Sequence, residues 1–212
     1  MQGYSRRALL ASAGALSASA LAGCFGSGGG GNEEDCSGDQ REIEVEPAGD
    51  PESDVTVAAY EDFECPGCGQ FAQQVYPAAV ADYVENGEIA YEHRDFPVTV
   101  GEEWSWKVPN AAFAVAEEAG EDAYYEFVKD VYEFQGEYSE ENVTGLAAEL
   151  GADEEVVGDA IEEEPFCEQI NESISEAEDR GVSATPTVLV NDQQLEAPNA
   201  EELREAIESE LA

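Results

Sequence analysis

The stretch Val55-Thr56-Val57-Ala58-Ala59-Tyr60-Glu61-Asp62-Phe63-Glu64-Cys65-Pro66-Gly67-Cys68 decides how the rest of this 212-residue chain is read. Val55 to Tyr60 is a strand-like run, and a helical pattern starts near Gly69. A thiol at a helix start faces unpaired backbone N–H groups and the positive end of the helix dipole, so its thiolate is stabilised. A second thiol three residues on lies one turn away and can close a disulfide with it. Pro66 fits the first helical position, where its missing N–H costs nothing. The arrangement suits thiol–disulfide exchange. Two other readings exist. Zinc would need a second such pair or two histidines, and the chain has neither, His93 being its only histidine. An inert surface disulfide is the other.

Downstream, Phe71, Val75, Tyr76, Ala79, Val80 and Tyr83 recur at roughly helical spacing up to Asn86-Gly87. Ile89 to His93 then alternates like a strand until Phe96-Pro97. Strand, helix and strand at this spacing predict a βαβ unit with a parallel pair. From about 102 to 180 the pattern is helical: Trp106 and Ala111 to Ala119, Ala123 to Phe134, a helix from Ser139, a short one from Asp153, and one from Pro165 to Arg180 with Gly181 as its cap. The aromatics here read as packing, one or two of them beside a groove. Thr187 to Val190 and Gln193 to Leu195 flank an Asn191-Asp192 turn, and Ala200 to Leu211 makes a last amphipathic helix. Pattern alone therefore gives β, α, β, a helical block, then β, β, α.

Fifty acidic residues stand against eight lysines and arginines, a net charge of −42. Such a surface repels nucleic acid and anionic lipid, so neither is expected as a partner. Self-repulsion fades at about 1 M salt, where the Debye length is roughly 3 Å. The composition resembles that of proteins from halophilic archaea, and activity is expected to rise with salt.

The N-terminus reads as an address. Ser5-Arg6-Arg7-Ala8-Leu9-Leu10 and the weakly apolar run to Ala22 resemble a twin-arginine export signal. Leu21-Ala22-Gly23-Cys24 resembles a lipobox, which implies lipidation of Cys24; the bland reading is an uncleaved anchor with an incidental cysteine. The expected layout is a signal over 1–23, a flexible acidic tether over 24–53 with Gly26 to Gly31 at its start, and one domain over 54–212. Both readings put the domain outside the cytoplasm. Of five cysteines, Cys36 and Cys167 remain, able to pair as a structural disulfide; four cysteines allow three connectivities, and Cys167 as a free buried thiol is the alternative.

The element order and the C-P-G-C motif resemble the thioredoxin fold with a helical insertion, nearest to the DsbA-like thiol–disulfide oxidoreductases. His93-Arg94-Asp95-Phe96-Pro97 is similar to the element that follows their second strand, Gly181-Val182-Ser183-Ala184-Thr185-Pro186-Thr187 to their cis-proline loop, and Val190-Asn191-Asp192 to the hairpin after it. The resemblance covers about 54–212. It implies an α/β thioredoxin fold with an insertion at about 102–180 between its βαβ and ββα halves, Cys65 as nucleophile, Cys68 as resolving thiol, and Pro186 in cis with Thr185 offering backbone hydrogen bonds to an extended substrate. It implies no cofactor, protein thiols or disulfides as substrates, and a membrane redox partner. Gly67 stands where strongly oxidising members carry histidine, and Asp62 and Glu64 are expected to raise the Cys65 pKa if close and unscreened. Oxidase, isomerase and reductase directions stay open. Rivals are a lipoprotein carrying a soft metal such as copper on Cys65 and Cys68, and a non-catalytic binding lipoprotein. His93 is expected at a strand end beside a groove, and Asn142 and Asn171 head tripeptides that accept N-glycans.

Overall fold

Alternation in the strand ahead of the cysteines sets the two layers of the fold. The computed structural model describes residues 34–98 and 103–212. Strand β2 (Thr56–Glu61) runs between β3 (Ala90–Asp95), to which it is parallel, and β4 (Thr187–Val190), to which it is antiparallel. Strands β1 (Ala48–Gly49) and β5 (Gln193–Glu196) flank them, giving the order β1-β3-β2-β4-β5. Successive side chains of β2 point to opposite faces. Val57 and Ala59 enter one core with Phe71, Ile89, Val188, Val190, Leu203 and Ile207. Ala58 and Tyr60 enter the other, which contains Phe63, Cys68, Phe96 and the helical insertion. The parallel pair keeps Thr56 opposite Ala90 through Glu61 opposite Asp95.

The single helix expected after the cysteines is broken into pieces. α1 (Pro66–Gln70) passes through a π-turn (Phe71–Val75) into α2 (Tyr76–Ala79) and α3 (Ala81–Glu85). Pro77 lies two residues past the π-turn; it has no N–H to give and its ring crowds the carbonyl one turn back, which the wider turn relieves. The insertion comprises α4 (Trp104–Ala119), α5 (Glu121–Asp130), a 3₁₀ turn (Val131–Phe134), α6 (Glu140–Glu149), α7 (Glu154–Glu163) and α8 (Cys167–Asp179). Ser139 and Asp153 cap α6 and α7 with their side chains, as their residue types favour. The closing helix is α9 (Ala200–Glu210), capped by Asn199.

The segment expected to be a flexible tether behaves differently from residue 34 onward. It forms a strap across α8 and ends in β1, an extra strand paired antiparallel to β3 that the sequence pattern did not announce. Gly49 adopts φ +92°, and a Cβ there would lie 2.3 Å from the Ile89 carbonyl oxygen, so only glycine fits this approach. Three side-chain amides or cations account for the strap's order despite its polar composition. Gln169 accepts from Ile43 N (3.0 Å) and donates to Ile43 O (2.9 Å). Asn171 does the same to Glu34 N and O, at 3.0 and 2.8 Å. The Arg41 guanidinium sits 4.9 Å over the Phe166 ring. Cys36 and Cys167 are joined by a disulfide across a sequence separation of 131. The signal-like segment, Cys24 and residues 24–33 lie outside the described residues. No helix of the described residues is long and apolar enough to cross a membrane.

The asparagines of the two glycan-type tripeptides both spend their amides within the protein. Asn142 Nδ2 donates to Glu137 O (2.7 Å), and Asn171 Nδ2 to Glu34 O. Replacing Cys36 by Ser should lower the unfolding free energy by roughly 2–5 kcal/mol and speed hydrogen exchange in residues 34–47. Cys65 alkylation rates should stay unchanged, because the hydrogen bonds that hold the strap run to Gln169 and Asn171 of α8 and not to the dithiol turn; denaturation and exchange mass spectrometry check this.

Candidate active site

The turn after β2 delivers Cys65 to the start of α1. Cys65 is the N-cap, with φ −76° and ψ 118°, and Pro66 occupies the first helical position. Both cysteines are thiols; Cys65 is half-buried and Cys68 is 0% exposed. The two sulfurs consequently differ. The Cys68 thiol beside it, outweighing partial burial and joined by Thr185 and the backbone N–H groups of Cys68 and Gly67, lowers the Cys65 pKa to about 5. Burial pushes the Cys68 thiol far up, helped by its hydrogen bond to Cys65 and by the charge of Glu61. Asp62 N donates to the Cys68 sulfur at 3.4 Å.

The loop before β4 closes the site from the other side. The Thr185–Pro186 peptide is cis, and the Cys65 thiol meets the Thr185 carbonyl at 3.5 Å. A Cβ at Gly67 would stand 3.0 Å from Pro186 Cδ, so the proline ring lies directly over the dithiol turn. The structure thus brings together Cys65, Cys68, Thr185 and Pro186 from two distant parts of the chain. Cys36 and Cys167 lie apart from them, in the strap.

The expected acidic penalty on Cys65 does not arise. Asp62 accepts from Glu64 N (3.0 Å) and Ser105 Oγ (2.6 Å) through Oδ1, and from Val98 N (3.0 Å) through Oδ2. Glu64 accepts from Trp104 N at 3.2 Å. Both carboxylates are tied to the first turn of α4, and Asp62 also to Val98, and neither is among the groups that shift the Cys65 thiol.

His93 lies near the end of β3 beside a groove under the strap, as expected, but its ring is turned inward. It is buried beneath the site, with Nδ1 3.4 Å from Glu61 and Nε2 3.1 Å from Asp95. Burial alone would lower its pKa, but the hydrogen bonds and charges of Asp95 and Glu61 outweigh it and raise the value to about 9. Glu61, 2% exposed, also accepts from Tyr132 Oη at 3.2 Å. A cavity of about 20 Å³ reaches Glu61 between Tyr76, Tyr91, Tyr125 and Tyr132. That is room for about one water.

Sequence reading missed Glu61, Tyr132, Gln135 and Tyr138 as parts of the site. Gln135 Nε2 donates to the carbonyls of Phe63 (2.7 Å) and Cys65 (2.9 Å), and Tyr138 Oη to Phe63 O (3.0 Å). Tyr138 also packs 5.8 Å from Trp104, so these are the aromatics beside the dithiol turn. The only available signal was the unusual placement of an acid, Glu61, in the last position of an apolar strand. Among the described residues no cluster of three or more His, Cys, Asp or Glu side chains is arranged to hold a metal.

A dithiol at a helix start, facing a cis proline across a parallel βαβ and an antiparallel hairpin, defines the class of thioredoxin-fold dithiol proteins. The chain belongs to the thioredoxin family, whose sequence pattern matches residues 45–209. It is 26% identical over 183 residues to Disulfide bond formation protein D of Bacillus subtilis, covering 81% of this chain and 80% of that one. Its fold matches that of oxidised BdbD from Bacillus subtilis with a TM-score of 0.71 at 22% identity, over 87% of this chain and 99% of that one. The thiol–disulfide exchange protein alpha-DsbA2 from Wolbachia pipientis matches with a TM-score of 0.65 at 26% identity, over 78% and 86%.

The His93 cluster carries its own test. Its raised pKa means that the stabilisation is fully present below about 6.5 and is lost as pH rises through about 9. His93→Leu leaves two buried carboxylates without their cation. It should cost roughly 3–5 kcal/mol near pH 6, with the deficit shrinking above pH 9, as measured by urea unfolding across pH.

Proposed function

We propose that this chain is an exported thiol–disulfide oxidoreductase that donates the Cys65–Cys68 disulfide to protein thiols. The observation that carries the direction is the inequality of the two sulfurs: the Cys65 pKa is lowered to about 5, whereas that of Cys68 is raised by burial. A stabilised thiolate favours the reduced pair, which makes its disulfide an oxidant.

In the proposed cycle a substrate thiolate attacks Cys65 Sγ, the more accessible sulfur of the disulfide. The Cys65–Cys68 bond breaks, and Cys68 leaves into its buried site and takes up a proton. A second substrate thiolate then attacks the substrate sulfur of the mixed disulfide, and Cys65 leaves as the stabilised thiolate. Two electrons pass from the substrate thiols to the pair, and the substrate gains a disulfide. Thr185 and Pro186 line the path of the incoming chain. Return of the pair to its disulfide needs a two-electron acceptor, which we assign to a redox partner in the membrane.

The N-terminal reading completes the proposal. A twin-arginine signal exports the chain, Cys24 carries lipid, and residues 24–33 lead from the anchor to the strap. The acidic composition suits a salt-rich, halophilic setting. The soft-metal reading is weaker, because a buried thiol with a raised pKa is a poor thiolate ligand.

Oxidative refolding of a reduced protein substrate tests the activity. Cys65→Ser and Cys68→Ser should each abolish it, because neither can form the disulfide that is donated. Offered a disulfide-bonded substrate instead, the Cys65 thiolate of Cys68→Ser should attack it, release one substrate thiolate and hold the other sulfur as a mixed disulfide that dithiothreitol frees. A Cys65→Ser variant with undiminished activity would reject the mechanism. Activity should rise severalfold between about 0.1 M and 3 M salt as screening tightens. For the anchor, Cys24→Ser should move the protein from the membrane fraction to the soluble one.

A further inference from the structure

We propose that Gln135 is a positioning residue for the Cys65 thiolate, an amide clamp from the helical insertion that the missing Cβ of Gly69 admits. This rests on Cys65 being the nucleophile. The clamp begins with orientation: only the amide nitrogen can face two carbonyl oxygens, and Nε2 spends both hydrogens on Phe63 O and Cys65 O. These two carbonyls bracket the turn that carries the sulfur.

The second observation is space. A Cβ built on Gly69 would fall 2.5 Å from Gln135 Oε1 and 3.1 Å from Cδ. Residue 69 is buried and helical and its φ is not in the left-handed region, so its backbone does not require glycine. What requires it is the amide lying across it.

The consequence for the sulfur runs through one shared donor. Cys68 N–H reaches the Cys65 carbonyl at 3.0 Å, and Gly69 N–H the same oxygen at 3.3 Å. Cys68 N–H also stabilises the Cys65 thiolate. The Gln135 amide supplies the Cys65 carbonyl with another donor, so that oxygen draws less on the Cys68 N–H, which stays aimed at the sulfur. Tyr138 Oη holds Phe63 O beside it. Among the described residues the other ionisable groups around the turn are Cys68, Glu61, His93 and Tyr132 beneath it, Asp62 and Glu64 within it and Tyr138 beside it; the substitutions below alter none of them.

The test compares the wild type with Gln135→Leu, Gly69→Ala and the double variant as reduced full-length protein in molar salt. The readouts are the pH midpoint of iodoacetamide alkylation at Cys65, the reduction potential against glutathione, and urea unfolding. Either single change should lower the alkylation rate near pH 4, below the Cys65 midpoint, by about three- to tenfold, the worth of one hydrogen bond, and make the pair more reducing. Because Gly69→Ala displaces the same amide that Gln135→Leu removes, the double variant should match the singles. Single variants that lose stability while keeping the wild-type midpoint and potential would overturn the clamp, as would fully additive shifts in the double. A wild-type midpoint near about 8.5, that of an ordinary cysteine, would overturn the nucleophile reading and the clamp with it. Failure of the first kind appears only in the variants, and failure of the second in the parent protein.

Discussion

Two sulfurs three residues apart cannot both be stabilised as thiolates in one helix turn, and the protein resolves this by giving them opposite surroundings. Cys65 stands at the start of α1, where backbone N–H groups converge, and Cys68 is sealed beneath it. The rest of the structure serves that difference. β2 aims the turn, the Thr185–Pro186 loop limits one side, and the insertion holds the carbonyl side through Gln135 and Tyr138. The insertion thus contributes to the site through hydrogen bonds to main chain, with no reacting group of its own.

Beneath the dithiol lies a charge arrangement unlike that of the surface. Outside, acids vastly outnumber bases and are left to solvent and salt. Inside, one imidazole stands between two carboxylates, with Tyr132 completing Glu61. A buried charge needs partners or it is expelled. The chain's lone histidine therefore sits where two acids must be tolerated in the core.

The sequence made the scaffold legible because its elements are strongly patterned. Val57 and Ala59 against Ala58 and Tyr60 give the two-sided strand, and Ser139, Asp153 and Gly181 mark helix ends by residue chemistry. C-P-G-C with a distant Thr-Pro-Thr marked the core of the site before any geometry was known. What stayed hidden depends on contacts between remote residues. The strap over residues 34–47 is polar and reads as linker, since Gln169, Asn171 and Cys167 that hold it lie more than a hundred residues away. Asp62 and Glu64 were read as neighbours of the sulfur by sequence distance, but their oxygens turn toward Ser105, Val98 and Trp104. Pro77 was visible in the sequence, but the π-turn it sits behind was not, because apolar spacing continues through it.

The disulfide of the strap also decides how the molecule carries mechanical load. A pull on the chain ahead of residue 36 passes through the Cys36–Cys167 bond straight into the first residue of α8. The 130 residues between them, which include both central strands of the parallel pair and the dithiol turn, are bypassed by the covalent route. The force enters at the insertion's last helix, so a load applied ahead of residue 36 reaches the fold by a covalent route that leaves out the sheet beside which Cys65 is mounted.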